Sequence, residues 1–340
     1  MKRRILGGTG MSVSEFALGA MMFGAMGNTD HDESVRMIHT ALDAGINFVD
    51  TADVYSGGES EEIVGRALKG RRDEVVLATK FAMPMGPDDN QGGGSPRWIK
   101  RAVEDSLRRL GTSYIDLYQM HRPDPGTDVD ETLGALSDLI RAGKICYAGS
   151  STFPASRIVQ AQWTAQRRGR ERFVCEQPPY SILVRGVETE VLPVCQEYGM
   201  GVIPWSPLAG GWLTGRYRKG AEFPVSRRAE RIPQRYDMSL PGNQAKLEAA
   251  EQLAVLAEEA GLTLIQLAIA FVLAHPAVTA PIIGPRTMEQ LESQLAAADV
   301  VLSSDVLDRI DEIVPPGTNL NIPDRGYDPP SITTPALRRR

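Results

Sequence analysis

Asp50, Tyr55, Lys80 and His121 are four side chains whose types together suit the reduction of a carbonyl. Hydride arriving at a carbonyl carbon leaves an alkoxide that must take up a proton, and a phenol in contact with it can give one. An unassisted phenol, with a pKa of about 10, is a reluctant donor at neutral pH. A neighbouring ammonium favours the phenolate, and a carboxylate beside that ammonium holds it in place. In this scheme Tyr55 is the general acid, Lys80 its tuner, Asp50 the partner of Lys80, and His121 polarises and orients the carbonyl. Singly, each has a bland explanation: a helix cap, a packing ring, a solvated cation, a structural imidazole.

This chemistry needs a hydride source, yet no G-x-G-x-x-G follows a strand-like run and no G-x-x-x-x-G-K-[ST] occurs. A Rossmann domain is therefore not expected. Groups suited to a nicotinamide dinucleotide stand elsewhere: Ser151, Thr152, Gln177, Trp205, Ser206, Pro207, Leu208, Gly284 and Arg286 fall at or just after later apolar runs. The Gln177 amide matches a carboxamide, and the Trp205 face can stack on a nicotinamide ring. Backbone donors near Gly210 and Gly211 and the start of the last helix suit phosphates. Arg286 reads as a bidentate clamp on a 2′-phosphate, so NADPH is expected over NADH.

Something must bring these residues to one place. Eight apolar runs supply it: 16–19, 46–50, 74–80, 114–120, 144–150, 172–176, 199–205 and 277–284. Amphipathic stretches separate them; Ile99, Val103, Leu107 and Leu110, for instance, recur at helical spacing. Asp30 or Asp32, Ser95-Pro96, and Asp128 or Asp130 punctuate helix starts, and Gly45, Gly111, Gly143, Gly169 and Gly199 follow helical segments. Runs so apolar imply a parallel sheet buried on both faces. Eight strand–helix units predict a (β/α)8 TIM barrel, whose reactive groups gather at the C-terminal strand ends.

Asp50, Lys80 and His121 end the second, third and fourth runs, and Tyr55 lies just beyond the second. Residues 2–15 read as a hairpin plugging the barrel bottom, with long loops at 81–95 and 215–243 after the third and seventh strands. The second loop carries four net positive charges, which reads as a lid over a phosphate-bearing ligand. The barrel is assigned to 1–314, leaving a proline-rich tail, 315–340, expected to be irregular and either packed over the site or disordered.

With 42% hydrophobic and 24% charged residues the chain is an ordinary globular protein, and a net charge of −6 argues against nucleic-acid or anionic-membrane partners. Cys146, Cys175 and Cys195 lack ligand or disulfide spacing and read as reduced core residues, so no metal is expected. The basic N-terminus has no apolar segment behind it, and the apolar stretch 262–274 is too short to span a bilayer. A cytoplasmic enzyme acting on a small carbonyl compound is the default expectation.

The sequence resembles the aldo-keto reductase superfamily, in particular its potassium-channel β-subunit-like branch. The motifs are NFVDTADVYSGGESEEIVGRAL (47–68), VVLATKF (75–81), RRLGTSYIDLYQMHRPD (108–124), GKICYAGSSTF (143–153), EQPPYS (176–181), PWSPLAGGWLTGRY (204–217) and IIGPRTMEQLESQ (282–294). The resemblance implies that Asp50, Tyr55, Lys80 and His121 form the family's catalytic tetrad. It implies an NADP(H) site at Gly19, Ala20, Met21, Asp50, Ser151, Thr152, Gln177, Trp205, Ser206, Pro207, Leu208, Gly210, Gly215, Arg216, Gly284, Arg286, Gln290 and Gln294. Trp205 replaces a Tyr of many relatives and Gln294 an Asn. Substrate contacts are expected at Phe23, Tyr55, Met83, Trp98 and His121, and a sugar or sugar-nucleotide carbonyl would suit the basic loop. The branch also implies an alternative, a slow-turnover redox-sensing regulatory subunit. A Schiff-base lyase using Lys80 is disfavoured, since an ammonium paired to Asp50 is a poor nucleophile.

Overall fold

The chain opens with an antiparallel hairpin, β1 (Arg3–Ile5) and β2 (Ser12–Ser14), around the GGTG turn. The computed structural model describes residues 1–223 and 227–339. Eight further strands follow, one in each apolar run: β3 (Ala17–Gly19), β4 (Phe48–Asp50), β5 (Val76–Phe81), β6 (Ile115–Met120), β7 (Ile145–Ser151), β8 (Phe173–Gln177), β9 (Gly201–Val202) and β10 (Ile282–Ile283). All pair in parallel, in the order β10-β3-β4-β5-β6-β7-β8-β9. The Thr279 amide donates to the Val202 carbonyl at 2.8 Å and the Ile282 amide to the Pro204 carbonyl at 2.8 Å, which joins the two ends of the sheet. The fold is a (β/α)8 barrel.

Helices α1 (His31–Asp43), α2 (Glu59–Leu68), α3 (Pro96–Leu110), α4 (Val129–Arg141), α5 (Ala155–Arg168) and α6 (Val191–Glu197) each follow a strand and cover the outside. The caps are local chemistry: at α3, Ser95 accepts from the Trp98 amide, Pro96 opens the helix, and Gly111 closes it at φ 62°. The seventh unit departs from one helix per strand. After the short α7 (Arg227–Arg231), both α8 (Pro241–Glu259) and α9 (Leu264–Ala274) precede β10 and meet at 94°. Then come α10 (Met288–Leu295), α11 (Ser304–Ile313), packed on α8, and α12 (Pro330–Thr333). The apolar run 262–274 is thus a buried core helix, and among the described residues no single helix is long and apolar enough to cross a membrane.

Inside the barrel, Ala17, Phe48, Ala78, Leu117, Cys175, Ile203, Ala280 and Ile282 form one apolar cluster, which Leu6 and Val13 of the hairpin complete. A Cβ at Gly201 would lie 2.5 Å from Leu6 Cδ1, so only glycine lets the hairpin seat there. Two expectations need correction. Cys146 is exposed, unlike buried Cys175 and Cys195, because it sits near the start of β7 where the sheet meets solvent. The 215–243 loop is less basic than its composition, because Arg218 and Lys219 pair with Glu251 and Glu248 of α8, and Arg235 with Asp324. The side chains of Arg227 and Arg228 lie outside the described residues.

The tail is anchored as far as Asp324. The Arg185 amide donates to Thr318, the Leu320 amide to Leu183, and the Lys246 ammonium to Asp324 Oδ2 at 2.8 Å. Gly326 then passes so close to Trp205 that a Cβ there would lie 2.7 Å from the indole.

Candidate active site

Asp50 is the last residue of β4, Lys80 lies near the end of β5, and His121 directly follows β6. Strand pairing sets them side by side, with Asp50 opposite Ala78 and Lys80 opposite Gln119. Tyr55 begins a tight 3-10 turn beyond β4, in which Ser56 takes φ 51°. The Lys80 ammonium spends its three donors on Asp50 Oδ1 (2.5 Å), the Thr51 carbonyl (2.8 Å) and the Tyr55 hydroxyl (3.3 Å). The Tyr55 and His121 rings meet edge to face with centroids 5.6 Å apart. The structure thus brings all four residues together.

Lys80 has no exposed surface. Burial works against its ammonium, but the charge of Asp50 and the contact with Tyr55 hold its pKa above the ordinary lysine value. His121 is buried too, and burial, aided by the charges of Lys80 and Arg122, takes its pKa well below that of a free imidazole. It is neutral at pH 7, and its buried Nδ1 has no hydrogen-bond partner among the described residues. Around this centre the backbone is strained: among the described residues, every non-glycine with positive φ, namely Ser56, Ala82, Thr152, Ser206 and Ala209, lies beyond the C-terminal end of a barrel strand. Such strain concentrates at functional sites.

Two glutamines hold the Asp50 carboxylate. Asp50 Oδ2 accepts from Gln119 Nε2 at 3.1 Å and from Gln177 Nε2 at 2.9 Å, so its carboxylate is committed on both oxygens. Gln177, expected to face a carboxamide, gives its amide nitrogen to Asp50 and, at 3.3 Å, to Gln119 Oε1. Gln119 escaped sequence reasoning, although a polar residue two before His121 in an apolar strand shares its face.

The other expected cofactor residues line a path along the strand ends. Ser151 donates to the Gln177 carbonyl at 3.0 Å, and Thr152 accepts from the Trp205 indole at 3.2 Å. Ser206, Leu208 and Gly210 are partly exposed beside Trp205, whereas Pro207 is buried. Gly19 pairs with Asp50 and is crowded by Ile282; Ala20 is buried and Met21 partly exposed. Gly215 turns at φ 82°. Further along, a Cβ at Gly284 would meet nothing within 4 Å, and the Arg286 amide donates to Gln290 Oε1 at 2.9 Å while Gln294 is buried. Arg216 and Arg286 are exposed and make no ion pair among the described residues. An aromatic face, an open glycine at a helix start and two uncommitted guanidiniums fit the ring and phosphates of a nicotinamide dinucleotide.

The expected substrate residues divide. Tyr55 and Met83 are partly exposed, and His121 is 7% exposed. Phe23 has no exposed surface and Trp98 only 4%, so both pack in the layer between sheet and helices and offer a ligand almost nothing. Two buried carboxyls were not foreseen. Asp53, two residues before Tyr55, has neither oxygen bonded to another side chain; burial, then the charge of Glu61, pushes it up to about 8. Glu176 accepts from Ser150 Oγ and the Phe153 amide, yet burial pushes it up to about 7.

Comparison with known proteins agrees with this architecture. The family description Aldo/keto reductase family matches residues 15–315. The uncharacterized oxidoreductase YrpG of Bacillus subtilis is 41% identical over 328 residues, covering 93% of this chain and 96% of the relative. A probable voltage-gated potassium channel subunit beta of Arabidopsis thaliana is 37% identical, covering 92% and 97%. Norsolorinic acid reductase of Emericella nidulans is 33% identical, covering 90% and 79%. Matches of this extent, on a barrel of this design, mean that the chain belongs to the aldo/keto reductase family.

Proposed function

We propose that this protein is an NADPH-dependent reductase of aldehydes or ketones, converting the carbonyl compound, NADPH and a proton to the alcohol and NADP+. The observation that carries the reading is the Lys80 ammonium, shared among Asp50, the Thr51 carbonyl and the Tyr55 hydroxyl. When bound, the nicotinamide supplies the hydride. Tyr55 gives its proton to the oxygen of the carbonyl, and the ammonium of Lys80 stabilises the phenolate left behind. Asp50, fixed by Gln119 and Gln177, keeps Lys80 charged and aimed. Neutral His121 orients the carbonyl without competing as an acid. Arg216 and Arg286 hold phosphates, Arg286 the one that distinguishes NADPH from NADH. In this reading the barrel, 1–314, is one cytoplasmic catalytic domain, and the tail edges its substrate site.

The test is NADPH consumption with a panel of aldehydes and ketones. Tyr55→Phe should lower kcat by roughly 10²–10⁴-fold while cofactor binding, followed by fluorescence, is retained. Near-normal turnover in Tyr55→Phe would reject the reading. The likeness to potassium channel subunit beta proteins supports a second reading, a regulatory subunit that binds NADP(H) and turns over slowly. Negligible rates across the panel, with tight NADPH binding and a co-purifying membrane partner, would favour it.

A further inference from the structure

Apart from the exposed Arg216 and Arg286, cations at the barrel mouth are provided with anions. Lys80 has Asp50 at 2.5 Å, while Lys246 (2.8 Å) and Arg235 (3.3 Å) share Asp324. The buried cations behind the mouth follow the same rule, Arg109 with Glu61 at 2.7 Å and Arg72 with Asp116 at 2.7 Å. Arg122 breaks it. It directly follows His121 and is partly buried, yet among the described residues no carboxylate oxygen lies within the 4.0 Å of an ion pair.

Among the described residues its guanidinium makes one hydrogen bond, from Nη1 to the carbonyl of His121, at 2.6 Å. A guanidinium carries five N–H donors, so the rest of the fork is uncommitted. The group stands 5.9 Å from the centroid of the Trp205 ring, and Arg235 stands 5.8 Å from the same ring. Burial disfavours the charge on Arg122, Tyr55 and Glu176 favour it, and Arg235 opposes it. Glu176 makes no ion pair with it and is engaged by Ser150 and the Phe153 amide. A cation drawn partly out of water beside the tetrad, and left without an anion by the protein, is stabilised by an anion arriving with a ligand.

We infer that Arg122 is a specificity-determining residue for an anionic substrate: the carbonyl compound bears a carboxylate or phosphate close to its reacting carbon, and the guanidinium grips it. This rests on the carbonyl-reductase reading and names its substrate class. Arginine suits both anions, because its planar fork matches their paired oxygens.

Two matched pairs test it: benzaldehyde against 4-carboxybenzaldehyde, and glyceraldehyde against glyceraldehyde 3-phosphate. The wild type should prefer the charged member of at least one pair by about tenfold or more in kcat/KM, and the preferred pair tells carboxylate from phosphate. In Arg122→Met the charged member should lose about 10- to 100-fold more than its neutral counterpart, mainly through KM, as expected when a charge-assisted contact is removed. Arg122→Lys, which keeps the charge, should retain part of the preference. Equal losses on both members, or no preference in the wild type, would overturn the inference. Calorimetric binding of benzoate and inorganic phosphate separates this from the reading beneath it. If Arg122→Met weakens anion binding tenfold while the wild type reduces no aldehyde, the anion site stands and the reductase reading falls. Active enzyme whose anion binding ignores Arg122 means the reverse.

Discussion

The two ends of the barrel are built on opposite principles. At the N-terminal end the hairpin pushes Leu6 and Val13 into a cluster of apolar side chains, and its close approach is secured by Gly7 and Gly201. At the C-terminal end the chain spends stability: a buried ammonium, a buried neutral imidazole, two buried carboxyls with raised pKa, and five strained non-glycine residues. A barrel can carry this because its strands, buried on both faces, hold the loops at a fixed separation. One end is where the protein is made stable, the other where stability is exchanged for chemistry.

Substitutions at either end should therefore differ in kind. The largest effect is expected for Lys80→Met, which should lower kcat by roughly 10²–10⁴-fold and also destabilise the fold by about 3–5 kcal/mol, since Asp50 is left buried without its cation. Steady-state rates and urea melts check the two parts, and an unaltered melt would contradict the pairing. Next, Leu6→Ala should cost about 2–5 kcal/mol from the cavity in the plug, with kcat unchanged in the folded fraction. A fall in kcat at saturating substrate would show that the ends are coupled.

A smaller effect concerns pH. Burial raises Asp53 from 3.8 to about 8 and Glu176 from 4.5 to about 7. The unfolded chain releases both protons in the ordinary carboxylate range while the folded chain keeps them, so their contribution to stability is full below that range. It is lost progressively as pH rises toward about 7 for Glu176 and about 8 for Asp53. In Asp53→Asn the decline should end near pH 7, with a difference on the order of 1–3 kcal/mol above it. A slope identical to wild type through pH 8 would exclude Asp53 as a neutral buried acid. The smallest effect is expected for Arg286→Ala, whose ratio of kcat/KM for NADPH over NADH should fall about tenfold with the loss of one phosphate contact. An unchanged ratio would remove Arg286 from that role.

Residues with local physics behind them were legible. Ser95, Pro96 and Gly111 bound α3 as their side-chain chemistry requires, and the eight apolar runs became eight strands because double burial leaves a period-free signature. Position along a strand was legible too, which is why Asp50, Lys80 and His121 could be placed on one end before their contacts were known. Partnership was not. Gln119 joined Gln177 on the Asp50 carboxylate, and the basic loop lost much of its charge to Glu251, Glu248 and Asp324. Phe23 and Trp98 withdrew into the core, since an aromatic residue reads alike whether it faces a ligand or a helix.

By itself, then, the order of residues determined a barrel with a plugged bottom and the end that carries the tetrad, because periodicity, caps and strand ends depend on near neighbours. Only the tertiary structure decided how the charges are shared. Arg235 and Lys246 meet Asp324 from 89 and 78 positions away in the chain, and Arg122, beside the tetrad, meets no carboxylate at all among the described residues. A charge is priced by what surrounds it in space, and that is settled only when distant segments pack.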